Sequence, residues 1–153
     1  MDGYLKLMIQ PLKKYFQFSG RARRSEFWLF QLFLIVVGII LVFFDKTVGS
    51  IDEITGNGLF SGIFVVLTLV PTISVMVRRL HDTDRSGWWL LSFIIVPIVS
   101  FVLSFVPILN LGLIGTPLLA VCVILLVFFC LNGTKGENRF GPDPKADVNE
   151  SNF

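Results

Sequence analysis

Three stretches of the chain contain no Asp, Glu, Lys, Arg or His: residues 27–44, 59–77 and 88–131. Within them apolar side chains fall on every side of a helical wheel. A helix buried in a soluble bundle would show a polar face, and these show almost none. A helix of about 20 apolar residues crosses the ~30 Å hydrocarbon core, and it satisfies its own backbone there. Drawn as one helix, residues 88–131 would extend roughly 66 Å, about twice that core. The stretch must therefore turn back once, and Pro107, Asn110 and Gly112 mark the place. The pattern predicts an all-α integral membrane protein with four transmembrane helices, near residues 27–44, 59–77, 88–106 and 112–131.

Ahead of the first span, Leu5, Met8, Ile9, Leu12, Tyr15 and Phe16 recur at helical spacing, with Lys6, Gln10, Lys13, Lys14 and Gln17 opposite them. That arrangement predicts a short N-terminal helix lying in the membrane interface. Pro11 favours a start close to itself, and Gly20 a stop. Residues 1–144 read as a single domain. The distal tail, 145–153, lacks apolar periodicity and reads as disordered. The first span is not a cleavable signal, because its apolar region is too long and Phe43-Phe44-Asp45 offers no small-residue cleavage site.

Composition adds orientation. Only 16% of residues are charged, low for a soluble domain, and the charges are segregated. Twelve of the thirteen Lys and Arg residues fall before residue 27, in the 78–87 turn, or after Leu131. The 45–58 loop keeps only Lys46, and the 107–111 hairpin has none. The positive-inside rule then places both termini and the 78–87 turn in the cytoplasm. Cys122 and Cys130 lie about 12 Å apart along one helix, too far to pair within it, and read as apolar fillers.

Within the spans, Pro71 and Pro97 each remove one helical hydrogen bond, freeing the carbonyls of Leu67 and Phe93. Thr68, Thr72 and Ser74 near the first, and Ser92 near the second, are candidates to relieve them. Gly58 and Gly62 form a small-xxx-small step that permits close helix approach.

Three polar segments remain, each abutting the end of a span: Gly20 to Trp28, Arg78 to Trp89, and Gly133 to Pro144. They read G-R-A-R-R-S-E-F-W, R-R-L-H-D-T-D-R-S-G-W-W and G-T-K-G-E-N-R-F-G-P-D-P. Together they resemble the bacterial inner-membrane family called domain of unknown function 805, over nearly the whole chain. Asp84 stands where that family more often has Gly or Asn, and Phe140 where it often has Tyr. The resemblance implies a multi-pass protein of the bacterial inner membrane and brings no activity with it.

The residues themselves define a candidate cytoplasmic binding face: Arg21, Arg23, Arg24, Glu26, Arg78, Arg79, His81, Asp82, Arg85, Asn138 and Arg139. The arginines can grip phosphates through paired guanidinium contacts, or hold anionic lipid headgroups as simple counter-charges. Asp82, Asp84 and Glu26 can instead neutralise them and lock the segments together. Trp28, Trp88 and Trp89 read as interface anchors.

No catalytic set is complete. One histidine does not make a metal site, and Ser86 is the sole nucleophile near His81. Asp82-Thr83-Asp84 mimics a calcium loop whose twelfth position falls on Phe93. The glycines after Leu131 lack the Lys-Ser/Thr of a phosphate loop.

The reading is thus a non-catalytic membrane protein without metal or cofactor. Its partners are the bilayer, anionic headgroups and a protein partner or second copy, with no nucleic acid. A transporter or channel subunit is the alternative, and a lipid-phosphate enzyme centred on His81 and Asp82 a third.

Overall fold

In the computed structural model, residues 2–52, 56, 58–103 and 115–146 are described. The ordered elements are α1 (Asp2–Lys13), α2 (Arg24–Val48), α3 (Leu59–Asp82), a 3₁₀ turn (Gly87–Leu91), α4 (Ser92–Leu103) and α5 (Gly115–Cys130). Among the described residues there is no strand, only two isolated bridges. Two helices, α2 and α3, are long and apolar enough to cross a membrane. The stretches containing α4 and α5 are shorter. The 107–111 hairpin, and the 145–153 tail beyond Ala146, lie outside the described residues.

The chain divides into two compact units, residues 1–18 with 25–75, and residues 19–24 with 76–153. In the first, α2 and α3 meet through aromatic rings. Phe33 packs edge-on to Phe64 at 6.4 Å and Phe44 to Phe60 at 5.0 Å. Their other faces carry exposed Ile35, Ile39, Ile40, Val65, Val66 and Leu69, the apolar surface expected of helices meeting lipid.

Two details correct the sequence expectations. Helix α1 begins at Asp2 rather than near Pro11, and Pro11 lies inside it, buried. The proline falls late in the helix, so its missing N–H costs one bond in a segment about to end. The carbonyl that Pro71 frees, on Leu67, is not taken by a neighbouring hydroxyl. Thr68 donates to Phe64 and Val65, Thr72 to Thr68, and Ser74 to Lys14 and Gln17. The Tyr15 hydroxyl fills the gap, donating to the Leu67 carbonyl at 2.6 Å. The segment after α1 is thus clipped onto α3 where proline breaks its ladder.

Asp45, at the end of α2, is buried and caps α3. Its carboxylate accepts from the Phe60 N–H at 3.0 Å, the Ser61 N–H at 2.9 Å and the Ser50 hydroxyl at 2.6 Å. It serves as an N-cap supplied by a different helix, with negative charge at the positive end of the α3 dipole. Gly58 makes this possible, because a Cβ there would stand 2.0 Å from Asp45 Oδ2. Gly62, the other half of the small-residue step, has nothing within 4 Å. Gly58→Ala is therefore expected to lower the thermal midpoint of the purified protein, while Gly62→Ala leaves it unchanged or raises it. Intrinsic tryptophan fluorescence during heating reads both.

Candidate functional site

The second unit holds most of the polar residues singled out in the sequence. It is built around the end of α3, the segment before α2, and the turns after α5. Helix α3 ends in a Schellman motif: the Arg85 N–H donates to the Leu80 carbonyl at 2.9 Å, and the Asp84 N–H to His81 at 3.0 Å. Asp84 takes the left-handed conformation this requires, at φ 57°. Gly and Asn are the residues that adopt this geometry most readily. Asp84→Gly is expected to stabilise the protein by up to about 1 kcal/mol, read as a higher thermal midpoint. The exposed Arg139–Asp84 pair it removes, 3.0 Å long, contributes little.

Asp82, the last residue of α3, is the hub. Its carboxylate accepts from Arg21 Nε at 3.1 Å on Oδ1 and from Arg79 on Oδ2. Its carbonyl accepts from the Thr134 N–H at 2.8 Å. All three charged side chains are buried. Burying charge is tolerable only when each ion is paired and its remaining hydrogen-bond capacity is filled, and here it is largely filled by main chain. Arg21 also donates to the carbonyls of Gly136, Thr134 and Gly141. Arg79 donates to those of Phe129, at 3.2 Å, and Leu131. Arg24 adds the Cys130 carbonyl at 3.1 Å. The last carbonyls of α5, left without helical donors, are thus capped by cations at the negative end of its dipole.

His81 is half-buried beneath Phe140, ring centroids 3.9 Å apart and planes 3° from parallel. Its Nδ1 lies 3.2 Å from the Gly20 carbonyl. The Asn138 amide donates to the His81 carbonyl and to the Thr134 hydroxyl, both at 2.9 Å. Gly133 lies against the hub, where a Cβ would meet Asp82 Oδ2 at 2.2 Å. Arg78 is fully buried, and its carbonyl accepts the Ala22 N–H at 3.0 Å. In the outer turn, the Lys145 and Gly136 N–H groups hold the Asp143 carboxyl below its ordinary range. A depressed carboxyl stabilises above its unfolded pKa, so this turn loses that support as pH falls through the acid range.

The segments at 20–24, 78–89 and 133–144 are therefore joined by hydrogen bonds and ion pairs, with Arg21, Arg24, Arg79, His81, Asp82, Asn138 and Arg139 all engaged. Arg23 is partly buried. Glu26 (buried) and Trp28 (exposed) belong to the other unit. Arg85 stacks on Phe128, 4.0 Å from its centroid. Gly133, Thr134 and Phe140 lie in the third polar segment but not among the candidate side chains that the sequence offers, and the end of α5 lies outside both. The unmet carbonyls that any helix terminus leaves, with arginines adjoining two neighbouring spans, were the available signal.

Residues 15–142 match a family described as protein of unknown function (DUF805). The chain is 41% identical to the inner membrane protein YhaH of Escherichia coli K12, covering 96% of this chain and 99% of that one. It is 40% identical to the inner membrane protein YhaI of the same strain, with 97% and 100% covered. The uncharacterised protein YiiR is 30% identical over 90% and 95%. No solved structure matches the chain. With two apolar helices of spanning length and inner-membrane relatives, the chain associates with the lipid bilayer.

Proposed function

Since the chain belongs to the DUF805 family, whose members include inner membrane proteins, we propose that it is a four-span, non-catalytic protein of the bacterial inner membrane with both termini in the cytoplasm. Its polar plate holds the cytoplasmic ends of the helices together and rests on anionic lipid headgroups. The observation that carries this reading is the use made of Arg21 and Arg79. Their guanidinium groups are directed at Asp82 and at five main-chain carbonyls. That is the work of a lock. Headgroup contact falls to the basic side chains that keep solvent exposure, chiefly Arg23, Lys135 and Arg139.

Supporting four spans is the 3₁₀ turn running directly into α4, which packs on α5. Both lie inside the uncharged stretch that is too long for one crossing. Single cysteines at Lys46 and Lys135, in a chain with Cys122 and Cys130 replaced, test the orientation. A membrane-impermeant thiol reagent on intact cells should label Lys46→Cys alone, and labelling of Lys135→Cys overturns the proposal. The headgroup role is tested by the Arg23→Gln/Lys135→Gln/Arg139→Gln variant. It should reduce the extra thermal stability that phosphatidylglycerol gives over phosphatidylcholine.

A further inference from the structure

Arg85 differs from the arginines that pair with Asp82 or Asp84. Among the described residues, the Arg85 guanidinium meets the Thr83 carbonyl at 3.2 Å and the face of Phe128, and no carboxylate. Of its five N–H donors one meets a described residue, and the partly exposed, planar guanidinium has others to offer a planar or tetrahedral oxyanion. The same ring also meets Trp89, packed edge-on to Phe128 at 5.3 Å. Trp89 in turn lines a groove of about 490 Å³ with Ser86, Trp88, Leu91, Ser92 and Ile95. Phe128 therefore touches both the cation and one residue of the groove wall. Trp88 is 76% exposed and Trp89 46%, at the start of the apolar stretch where an indole sits at headgroup depth.

The geometry points to a seat for one anionic phospholipid. Its phosphate takes the other N–H donors of Arg85, and one acyl chain follows the groove past Trp88 and Trp89 along the start of α4. The occupant follows from charge and shape together. Arg85 does not line the groove, but its chain neighbour Ser86 does. A cation next to a groove walled mainly by indole and aliphatic side chains suits a molecule that is a phosphate at one end and hydrocarbon at the other. Free phosphate would leave the groove empty, and a zwitterionic lipid would set its own cation beside Arg85. This inference rests on the proposed headgroup-binding face and assigns it one specific position.

The test uses the full chain carrying Trp28→Phe, so that fluorescence reports Trp88 and Trp89 alone. It is reconstituted in phosphatidylcholine vesicles containing a small fraction of acyl-brominated phosphatidylglycerol or, in parallel, brominated phosphatidylcholine. The seat predicts stronger quenching by the anionic lipid, and Arg85→Gln should lower that preference about fivefold, as expected for one basic contact at the surface. Arg85→Lys, which keeps the charge without the fork or the stacking, should fall between them. Circular dichroism and a monodisperse elution profile show whether each variant has folded. Equal quenching by both lipids in the parent overturns the seat. If the parent and Arg85→Gln share the same anionic preference, the seat is also overturned while the wider headgroup-binding face stands. Millimolar inorganic phosphate that abolishes the preference identifies a free-anion site and likewise overturns it. If the seat holds while the Arg23/Lys135/Arg139 variant keeps its full lipid stabilisation, the broader face fails separately.

Discussion

Asp82→Asn is expected to lower stability by about 3–5 kcal/mol, the range for removing one partner of a buried ion pair. Asparagine preserves the shape of the side chain and removes the charge. Arg21 and Arg79 would then face each other across a buried site without their shared counter-ion. The loss should spread to the turns after α5, because Arg21 reaches the carbonyls of Thr134 and Gly136 from its place on Asp82. Two measurements check this in detergent-purified protein. The thermal midpoint should fall, and trypsin should cleave at Lys135 and Arg139 well before the apolar helices are affected. A variant replacing all three ions, Arg21→Met/Asp82→Leu/Arg79→Met, should be less damaged by ion loss than the single change, since it leaves no orphan charge. It does remove the cation caps on α5, so it should not recover fully. An Asp82→Asn protein with an unchanged midpoint and an intact tail would show that the lock contributes nothing.

Much of this architecture is legible in the sequence, for identifiable reasons. Charge is so costly in hydrocarbon that its absence over residues 27–44 and 59–77 locates α2 and α3, although both helices run on past the uncharged stretches, α3 as far as Asp82. The three polar segments stand out by the same contrast. What a sequence does not contain is the choice of partner. Arg21 lies 61 residues from Asp82, and Arg79 lies 50 from Phe129. Nothing local separates the arginines that become fully buried from Arg23, which stays partly exposed. Pro11 suggests a helix start because proline is tolerated in a first turn, whereas in α1 it stands in the last turn with its one helical bond missing. The Tyr15 clip on Leu67 was invisible because a neighbouring hydroxyl is the simpler donor to expect. Asp45 read as an ordinary loop acid, since only the fold brings the α3 N-terminus against it.

Asp45 and Asp82 share a device, a buried carboxylate with a glycine backbone pressed against it, and the device makes the second large effect predictable. Gly133→Ala is expected to lose about 1–3 kcal/mol through overpacking, and more if the carboxylate cannot move. The new Cβ would meet Asp82 Oδ2 at 2.2 Å, Cγ at 2.5 Å and Oδ1 at 2.7 Å. Both oxygens are held by arginines, so relief for the methyl group comes only by weakening an ion pair. Gly136→Ala separates this steric cause from simple backbone strain. Gly136 has φ of 75° and nothing within 4 Å, so its substitution should cost the left-handed penalty alone, about 1–2 kcal/mol. A double-mutant cycle decides the matter. In an Asp82→Ala background the carboxylate is gone, and Gly133→Ala should then add almost nothing, giving a coupling energy within the ~0.5–3 kcal/mol range of contacting residues. Additive losses would mean that Gly133 is required by the turn itself, and the packing of the tail against the end of α3 would need a different explanation.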